Sequence, residues 1–403
     1  MSHIVVIGAG QAGSSLVAKL RKDGFDGQIT LIGEEPQIPY QRPPLSKAYL
    51  LGEMTVDRLY LRPESFYAEN DIQLELSETA VAIDRKNKVV IAGGKQIAFD
   101  QLALTTGSVP RRLPGAIGGE LEGVHVVRTL ADIDAMAPAV TEGRHALIVG
   151  GGYIGLEAAA VCAKRGLHVT LVEMADRILQ RVAAPETSNY FRALHRDHGV
   201  VIREGIGLAR LTEANGHVAG AVLSDGTEIG VDLVVVGVGI TPATELAEAA
   251  GLEIENGIRV DSHGRTSDPS IWAAGDCASF PYKGGRIRLE SVPNAIDQAE
   301  IVAQNMMGAE KDYVATPWFW SDQYDVKLQI AGLNTGYDRV VTRAGEGRTM
   351  SFWYYLGDQL LAVDAMNDPR AYMVGKRLID SGKTADPEVV GDPEADLKPL
   401  LKA

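Results

Sequence analysis

The feature that most constrains the fold is the first stretch of the chain, where an apolar run of strand length breaks into glycines spaced G-x-G-x-x-G. Helix-like sequence follows at once, and the next apolar run ends on Glu34, where an acid that binds a ribose belongs. In such a turn the first glycine permits a tight bend, the second lets the backbone approach a pyrophosphate, and the third lets the helix pack against the strand. The stretch therefore predicts a βαβ unit that binds a dinucleotide, and a glycine-rich turn without a ligand is the alternative. The three glycines are Gly8, Gly10 and Gly13.

The same pattern recurs in the middle of the chain. An apolar run over residues 146–149 meets a second G-x-G-x-x-G, and the strand-like run after the next helix ends on Glu173. A carboxylate at that place accepts hydrogen bonds from a ribose 2′-hydroxyl and repels a 2′-phosphate, which predicts NADH rather than NADPH. Two fingerprints in one chain indicate two dinucleotides, and they favour hydride transfer from a nicotinamide to a flavin because both carriers exchange hydride. The glycines of the second motif are Gly150, Gly152 and Gly155.

Length, charge and hydropathy exclude several classes of protein. The 403 residues are enough for two or three domains. A formal net charge of −14 argues against general nucleic-acid binding. The sequence contains no apolar run long enough to span a membrane, and its first residues lack a basic signal region. We therefore expect a cytoplasmic protein without a nucleic-acid or membrane partner.

The cysteines and histidines exclude two kinds of site. Cys162 and Cys277 are the only cysteines and lie far apart, so a dithiol active site of the C-x-x-C or C-x4-C type is excluded. His195 and His198 are three residues apart, but no further ligand lies near them in sequence. We therefore predict no metal site and place this histidine pair on a surface helix.

Further chemistry is expected where other apolar runs end. Residues 36–47 form a proline-rich and therefore rigid loop that carries Arg42 and Lys47. These two cations either meet a pyrophosphate or a flavin, or belong to a solvated loop. Another run ends on Thr105, Thr106 and Gly107, and residues 108–115 look like a crossing between domains.

The middle of the chain contains further strand-like runs. Residues 72–100 alternate in polarity and contain Gly93-Gly94, which predicts a small meander. Residues 233–242 form a third strand-to-glycine unit, at which we expect the chain to return to the first domain. Residues 267–278 predict a strand that ends on Gly275-Asp276 before another helix. Asp276 there is either a flavin ligand or the N-cap of that helix.

The C-terminal part is rich in strand-forming residues. Trp318 and Trp320 would face the same side of a strand, either filling a core or lying at a partner surface. The runs around residues 352–363 predict a hairpin that turns at Gly357-Asp358. We expect the acidic, proline-broken tail, residues 383–403, to pack loosely on this part of the chain.

Taken together, these motifs resemble the two-dinucleotide flavoprotein reductases. More narrowly, the chain resembles the NADH-dependent ferredoxin reductases that serve bacterial cytochrome P450 and aromatic-ring dioxygenase systems. The resemblance covers essentially the whole chain and rests on residues 8–13, 42–47, 105–107, 150–157, 275–276, 290–295 and 317–324.

The resemblance implies an α/β fold with two Rossmann-like domains, arranged as in glutathione reductase, and a C-terminal α+β domain. It implies a discontinuous FAD-binding domain, residues 1–110 and 242–316, with an NADH-binding domain, residues 111–241, inserted. Residues 317–403 would form the domain at the partner and flavin face.

The resemblance also implies the site residues. Lys47 would lie near the isoalloxazine, Glu157 would bond the nicotinamide amide and pair with Lys47, and Trp320 would lie where the iron–sulfur partner docks. These three are the expected catalytic residues. The FAD residues would be Gly8, Gly10, Ala12, Gly13, Glu34, Arg42, Lys47, Ala80, Thr106, Gly107, Arg128, Asp276 and Val292. The NADH residues would be Gly150, Gly151, Gly152, Ile154, Gly155, Glu157, Glu173 and Gly239.

The function that follows is an FAD-dependent NADH:ferredoxin reductase. It would pass electrons singly to a [2Fe-2S] ferredoxin that serves a cytochrome P450 or a dioxygenase, and it would act as a monomer. Two alternatives are an NADH oxidase or peroxidase, which usually has a redox cysteine near position 46 or 47, and an NADH-sensing flavoprotein. The chain departs from the family at Asp297 and Glu300, where the family often carries basic residues, so the cations that bind ferredoxin are not located by sequence.

Overall fold

The computed structural model describes residues 2–401; Met1 and two residues of the predicted tail, Lys402 and Ala403, lie outside the described residues. The chain packs into two compact units. The first unit contains the chain up to Arg42, Thr55–Val109 and Ile240–Pro317, and the second contains Pro43–Met54, Pro110–Gly239 and the chain from Trp318. The chain leaves the first unit between Val109 and Pro110, within the predicted crossing. The three functional domains assigned by resemblance stay a prediction.

The strands are numbered in chain order. Up to Pro110 they are β1 His3–Ile7, β2 Gln28–Gly33, β3 Ile72–Leu76, β4 Ala80–Asp84, β5 Val89–Ala92, β6 Lys95–Ala98, β7 Gln101–Leu104 and β8 Ser108–Pro110. The next group is β9 Val124–His125, β10 His145–Val149, β11 His168–Glu173, β12 Val201–Glu204, β13 Leu208–Ala214, β14 His217–Leu223, β15 Glu228–Gly230 and β16 Leu233–Val236. The last are β17 Ile240–Pro242, β18 Ile258–Arg259, β19 Ile271–Ala273, β20 Ala278–Tyr282, β21 Gly285–Ile287, β22 Trp318–Gln323, β23 Val326–Gly332, β24 Arg339–Ala344, β25 Met350–Leu356 and β26 Gln359–Met366.

The helices are numbered in the same way. They are α1 Gln11–Lys22, α2 Val56–Leu59, α3 Glu64–Glu69, α4 Leu130–Met136, α5 Tyr153–Lys164, α6 Pro185–Asp197, α7 Glu245–Ala249, α8 Val292–Met306, α9 Pro369–Asp380 and α10 Pro387–Gly391. Short helical turns also occur at Leu45–Tyr49, Gly115–Ile117, Ala137–Ala139 and Lys398–Leu401.

A parallel sheet of strand order β19-β7-β1-β2-β3 forms the centre of the first unit. Successive side chains of β1 point to opposite faces. Ile4 and Val6 therefore join a core with α1 and α8, whereas Val5 and Ile7 join a second core with the strands β4 and β5. Because both faces are covered, the strands have the continuous apolar runs seen in the sequence.

The second unit contains its own parallel sheet, of strand order β12-β11-β10-β16-β9. Leu147 and Val149 of β10 share a core with Leu211 of β13 and Val218 of β14, so a layer of antiparallel strands covers one face. The predicted α/β class with two Rossmann-like sheets is confirmed.

An antiparallel sheet of strand order β22-β23-β26-β25-β24 follows in the second unit. Trp353 and Val363 of this sheet share a core with Val374 and Leu378 of α9. Leu356 pairs with Gln359, so the two-residue turn at Gly357-Asp358 is confirmed.

Two expectations about strands are corrected. The predicted meander is β4-β5-β6 alone, with its turn at Gly93-Gly94, because Ile72–Leu76 is instead the outer strand of the parallel sheet beside β2. The segment after Gly275-Asp276 is the strand Ala278–Tyr282 and not a helix, because it pairs with β18 and β21. Asp276 is therefore not a helix N-cap.

The expectation of a loosely packed tail is wrong. Val390 and Leu397 are fully or almost fully buried in the core of the C-terminal sheet. The guanidinium of Arg343 donates hydrogen bonds to the carbonyl oxygens of Pro393 and Ala395, both 2.9 Å away. The tail is anchored by single apolar residues that lie far apart among acidic ones. Because their spacing has neither a helical nor a strand period, the sequence does not predict that they are buried.

A buried carboxyl group in this sheet gives a stability prediction. Asp364 is 1% exposed and accepts hydrogen bonds from Thr187 Oγ1 at 2.7 Å and Tyr354 Oη at 2.5 Å. Burial raises the pKa of Asp364 from 3.8 to about 6. A raised folded pKa means that the folded state binds this proton more tightly than the unfolded state. The resulting stability is complete below pH 3.8 and is lost as the pH rises through 6.

We therefore expect Asp364→Asn to stabilise the protein by about 3 kcal/mol at pH 8 and by little at pH 4, since one pKa unit corresponds to about 1.4 kcal/mol. Urea denaturation at the two pH values measures this difference. Asp358→Asn, at a fully exposed position, is the control and should change stability at neither pH. Equal stabilisation by Asp364→Asn at both pH values would contradict the buried, proton-linked role of this carboxyl.

Candidate functional site

The first glycine motif forms the turn between β1 and α1. A Cβ placed on Gly13 would lie 2.0 Å from the carbonyl oxygen of Gly8, and one placed on Gly8 would lie 2.2 Å from that of Thr105. Both positions therefore require glycine, because strand, helix and the end of β7 approach one another too closely for a side chain. A Cβ on Gly10 would meet no protein atom within 4 Å. The open side of the turn thus lies at the amino end of α1, where backbone N–H groups bind a pyrophosphate.

The end of β2 carries two acids with different surroundings. Glu34 is exposed, as a residue that binds a ribose must be. Glu35 accepts hydrogen bonds from Arg42 Nη2 at 2.6 Å and from Tyr40 Oη at 2.5 Å. Glu35 therefore holds the predicted cation Arg42 beside the carboxyl end of the first sheet. Sequence reasoning did not identify this partner.

Other predicted FAD residues lie at the carboxyl ends of β7 and β19. Asp276 Oδ2 accepts a hydrogen bond from Ser108 Oγ at 3.0 Å, and the hydroxyl of Thr106 donates to the carbonyl oxygen of Ala243 at 2.7 Å. A Cβ on Gly275 would lie 3.0 Å from the Cβ of Ala12, so these two predicted segments touch. The strand ends of one parallel sheet thus gather most of these residues at one edge.

Helix α8 adds its amino end to this part of the first unit. Val292 is its first residue, and Ser291 caps it by accepting a hydrogen bond from the Asn294 amide. The free amides and dipole of a helix start favour negative charge, which suits the ring edge that carries N1 and O2 in a flavin. Gln298 in the same helix accepts a hydrogen bond from the Gly275 amide at 2.9 Å.

Arg62, Ala80 and Arg128 lie outside the strand ends and helix starts described above. Arg62 donates to Ser14 Oγ at 3.1 Å, which puts an unpredicted cation beside the first turn of α1. Ala80 opens β4 in the first unit, whereas Arg128 lies in the second unit, one residue before the capping box of α4 at Thr129. Contact of Ala80 and Arg128 with FAD stays a prediction.

The residues present fit an FAD on these observations: an open turn at a helix start, an exposed acid at the end of β2, and a cation at the same edge. The cluster of contacts is confined to the first unit.

The glycines of the second motif make the same kinds of close contact as those of the first. A Cβ on Gly155 would lie 2.0 Å from the carbonyl oxygen of Gly150, and one on Gly150 would lie 2.4 Å from that of Gly237. Gly152, like Gly10, faces open space. Ile154, at the start of α5, is 41% exposed and so available to a ligand.

Glu173 stands at the end of β11, as predicted. Its Oε2 accepts a hydrogen bond from the Gly151 amide at 2.7 Å, and its Oε1 accepts one from the Ala175 amide at 2.8 Å. The carboxylate is thereby fixed beside the glycine turn. Arg177, which could have favoured a 2′-phosphate, is held by Ser188 and the Ala183 carbonyl.

Gly239 follows β16 at the same edge of the sheet as the glycine motif, because β16 runs parallel to β10. Its φ of 104° is in the left-handed region, and its carbonyl oxygen accepts a hydrogen bond from the Arg111 amide at 2.9 Å. A Cβ there would lie 3.5 Å from Arg181 Nη2. Arg181 and Arg111 are both exposed beside Gly239, so both cations are accessible to a ligand.

The predicted pair of Lys47 and Glu157 is present. Lys47 Nζ lies 2.9 Å from Glu157 Oε1 and 3.9 Å from a carboxylate oxygen of Asp322. Lys47 belongs to Leu45–Tyr49, a kinked helical turn that begins within the predicted proline-rich loop. This turn packs with α5 in the second unit, which brings the lysine to the buried face of that helix.

Glu157 is 7% exposed and fully hydrogen-bonded. Ser321 Oγ donates to Oε1 at 2.7 Å, and Ser46 Oγ donates to Oε2 at 3.2 Å. Burial raises the pKa of Glu157, and Lys47 and the two hydroxyl groups oppose that rise. The arrangement is therefore a buried ion pair with neutral donors on both carboxylate oxygens.

The two tryptophans of β22 share a face, as predicted. Their ring centroids are 5.6 Å apart, and Trp318 lies 6.2 Å from the ring of Tyr372 in α9. Both are half-buried, whereas the core of this sheet contains Trp353 and Tyr355. Their exposure leaves Trp320 available to a partner, and that role stays a prediction.

Of the histidine pair, His198 is exposed as expected, whereas His195 is buried, contrary to expectation. His195 is 0% exposed, with Nε2 2.8 Å from Gln323 Oε1 and Nδ1 3.2 Å from Tyr324 Oη. His198 stacks on the ring of Tyr324 at 3.6 Å. Helix α6 has its buried face toward β22, a tertiary contact that the local sequence does not reveal. Burial lowers the pKa of His195 to about 4, so its imidazole is neutral at pH 7.

Several other features bear on the chemistry. Both cysteines are free and buried. Within residues 2–401, no group of three or more His, Cys, Asp or Glu residues could hold a metal ion. Over the same residues, no helix is both long and apolar enough to cross a membrane. A cavity of about 430 Å³ lies against His145 and His168, at the amino ends of β10 and β11 and thus at the opposite end from the glycine motif.

Comparison with known proteins agrees with this geometry. Residues 2–299 match the family described as "Pyridine nucleotide-disulphide oxidoreductase", and residues 318–401 match "Reductase C-terminal". Rhodocoxin reductase of Rhodococcus erythropolis is 42% identical over 98% of this chain and 93% of its own length.

Two solved structures superimpose on the whole chain. The covalent putidaredoxin reductase–putidaredoxin complex matches with a TM-score of 0.96 and 40% identity, over 100% of this chain and 98% of that one. The ferredoxin reductase for the CYP199A2 system from Rhodopseudomonas palustris matches with a TM-score of 0.95 and 40% identity, over 100% of both chains.

Proposed function

We infer the function from the family, because the chain belongs to the pyridine nucleotide-disulphide oxidoreductases and, within them, to the ferredoxin reductases with a reductase C-terminal domain. It is an FAD-dependent ferredoxin–NAD(+) reductase. Its partner is a [2Fe-2S] ferredoxin, which in turn serves a cytochrome P450 or a ring-hydroxylating dioxygenase. The observation that carries this conclusion is the repeated dinucleotide turn, with one copy in each unit.

FAD, when bound, accepts a hydride from NADH and releases electrons singly. We assign its pyrophosphate to the turn that begins α1, and its adenosine ribose to Glu34. Arg42, placed by Glu35, supplies positive charge at the same edge. Asp276 and the amino end of α8 at Val292 complete the set with hydrogen-bonding groups. The chain's own residues thus bind and orient the cofactor and take no covalent part.

We assign NADH to the turn that begins α5. Gly151 and Glu173 are already joined by a hydrogen bond, so the carboxylate stands where an adenosine ribose meets the turn. Glu157 and Lys47 form the buried ion pair of this unit, and we assign Glu157 to the nicotinamide amide. Lys47 balances the charge of Glu157 and supplies a cation for the reduced cofactor.

We place the ferredoxin-facing surface at Trp318 and Trp320, whose half-buried rings lie side by side on β22. Aromatic residues of this kind are enriched at the centres of interfaces. We further propose that the enzyme is a cytoplasmic monomer. Two free, buried cysteines and the use of NADH support the cytoplasmic location, because disulfides are rare there.

An anaerobic titration tests the proposed function. We expect NADH to bleach the flavin absorbance of the purified protein, and added oxidised [2Fe-2S] ferredoxin to restore it. Bleaching that ferredoxin does not reverse, but oxygen does, would contradict the reductase assignment and support an oxidase.

Replacement of Glu173 tests the assignment of the NADH site. We expect Glu173→Ala to reduce the preference for NADH over NADPH about tenfold. The variant loses both the repulsion between this carboxylate and the 2′-phosphate of NADPH and the hydrogen bonds to the ribose of NADH. The ratio of kcat/KM for the two cofactors measures this preference. Asp176→Ala removes a nearby exposed acid and should leave the ratio unchanged. An unchanged ratio in Glu173→Ala would remove this residue as the determinant.

A further inference from the structure

A chain of hydrogen bonds runs from Glu157 into the interior of the second unit. Ser321 Oγ lies 2.7 Å from Glu157 Oε1, and Gln323 Nε2 lies 3.2 Å from Ser321 Oγ. The chain continues from Gln323 Oε1 to His195 Nε2 at 2.8 Å, and from His195 Nδ1 to Tyr324 Oη at 3.2 Å. Ser321, Gln323 and His195 are each at most 1% exposed. The family assignment gives no role to these three residues.

The charge on Glu157 determines the direction of every bond in this chain. An ionised carboxylate only accepts hydrogen bonds, so Ser321 must donate its single proton to Glu157. The lone pairs of Ser321 then face Gln323, which must present its amide NH2 group. The carbonyl oxygen of Gln323 consequently faces His195, so His195 carries its proton on Nε2 and accepts from Tyr324 at Nδ1.

We propose that Gln323 and His195 are positioning residues for the NADH reaction, because they orient the Ser321 hydroxyl toward Glu157 and so keep that carboxylate ionised beside Lys47. The proposal rests on the proposed function in one respect, the role of Glu157 at the nicotinamide. A wire that moves protons is excluded, because a side-chain amide in the middle of the chain does not exchange its protons in this way. The chain acts through aligned dipoles, and hydrogen bonds of one direction strengthen one another at low dielectric.

The hydrogen-bonded side chains of Ser321, Gln323 and His195 carry no charge. Their effect on Glu157 therefore depends on the direction of their hydrogen bonds. Burial lowers the pKa of His195 to about 4, so the imidazole stays neutral above pH 5. Lys47 on the Leu45–Tyr49 turn is the cation paired with Glu157, and Asp322 on β22 lies 3.9 Å from the Lys47 ammonium. Behind the chain lie His195 on α6, His198 directly after that helix, Tyr324, and Cys162 on α5.

The first test is the pH dependence of flavin reduction by NADH in the holoenzyme, measured by anaerobic stopped flow. Protonation of Glu157 should produce an acid limb. Loss of one hydrogen bond to a charged group shifts such a limb by about one pH unit, so we expect Ser321→Ala to move it upward by about that much. Gln323→Met keeps the length of the side chain but leaves Ser321 free to turn, and we expect a shift of about half a unit in the same direction.

Ser351→Ala is the matched control. Ser351 is also 0% exposed and hydrogen-bonded in the same sheet, to Trp353 Nε1 at 3.1 Å, but it lies outside the chain to Glu157. We expect this variant to lower stability and to leave the acid limb in place. A limb that Gln323→Met fails to move, while Ser321→Ala moves it, would overturn the role of Gln323 and His195. So would equal shifts in Gln323→Met and Ser351→Ala.

A second readout does not depend on catalysis. Nitrogen-15 spectra of histidine-labelled protein should show His195 as the neutral Nε2–H tautomer at pH 7, and Gln323→Met should broaden or lose this preference. The Nδ1–H tautomer, or a charged ring at pH 7, would overturn the proposal. Glu157→Gln distinguishes the role of Glu157 at the nicotinamide from the direction of the hydrogen-bond chain. If this variant retains the acid limb, the assigned role of Glu157 is wrong. The tautomer of His195 then decides whether the hydrogen bonds have the proposed direction.

Discussion

Gly13→Ala is expected to yield a protein without bound flavin, whereas Gly155→Ala is expected to retain flavin and lose NADH binding. In each case the new Cβ would lie 2.0 Å from a carbonyl oxygen of the same turn, Gly8 in the first unit and Gly150 in the second. A backbone oxygen cannot move aside without opening the turn, and overpacking of this kind costs about 1–3 kcal/mol or more. We expect retention of FAD, or affinity for NADH, to fall at least tenfold.

Flavin absorbance after desalting and titration with NADH measure the two effects. Gly285→Ala is the control in the first unit, because its Cβ would lie 3.8 Å from the nearest atom, the Tyr282 carbonyl oxygen. Loss of flavin in Gly155→Ala together with its retention in Gly13→Ala would reverse the assignment of the two turns. Retention of both cofactors in both variants would contradict the dinucleotide role of the glycines.

Lys47→Met is expected to slow flavin reduction by NADH at least tenfold at pH 7 while leaving FAD bound. The substitution keeps the apolar stem but leaves Glu157 buried without its cation, and removal of one partner of a buried ion pair costs about 3–5 kcal/mol. Glu157 would then take up a proton at a higher pH than in the native protein. Part of the lost rate should therefore return as the pH rises.

Stopped-flow reduction across a pH range measures this loss, and Lys164→Met is its control. Lys164 forms an exposed ion pair with Glu53 in the same unit, at 3.0 Å, and its replacement should leave the rate unchanged. We expect Lys47→Met combined with Glu157→Gln to be no slower than the worse single variant, because the two residues act as one pair. Additive losses would show that each residue acts independently of the other.

Sequence predicts the two sheets and their glycine turns because these depend on local rules. An apolar run followed by G-x-G-x-x-G leaves few conformations, and the close contacts at Gly13 and Gly155 explain why no other residue serves there. The acid at the end of the next strand follows from the length of the helix between them. Glu173 beside Gly151 is therefore predictable from spacing alone.

What sequence missed depends on contacts between segments far apart in the chain. Arg62 reaches Ser14, and His195 reaches Gln323, across distances that no local pattern encodes. The expected surface position of His195 is wrong because His195 lies on the buried face of α6, where it hydrogen-bonds Gln323 of β22. The expected helix after Asp276 is wrong because residues 278–282 find partners in β18 and β21. In each case the tertiary partner overrides the local preference.

The most direct test of the account is NADH oxidation by the purified, flavin-loaded protein with cytochrome c as the final acceptor, with and without a [2Fe-2S] ferredoxin. We expect reduction of cytochrome c to depend strongly on ferredoxin and little oxygen to be consumed in its absence. Rapid NADH oxidation that consumes oxygen and is indifferent to ferredoxin would contradict this expectation.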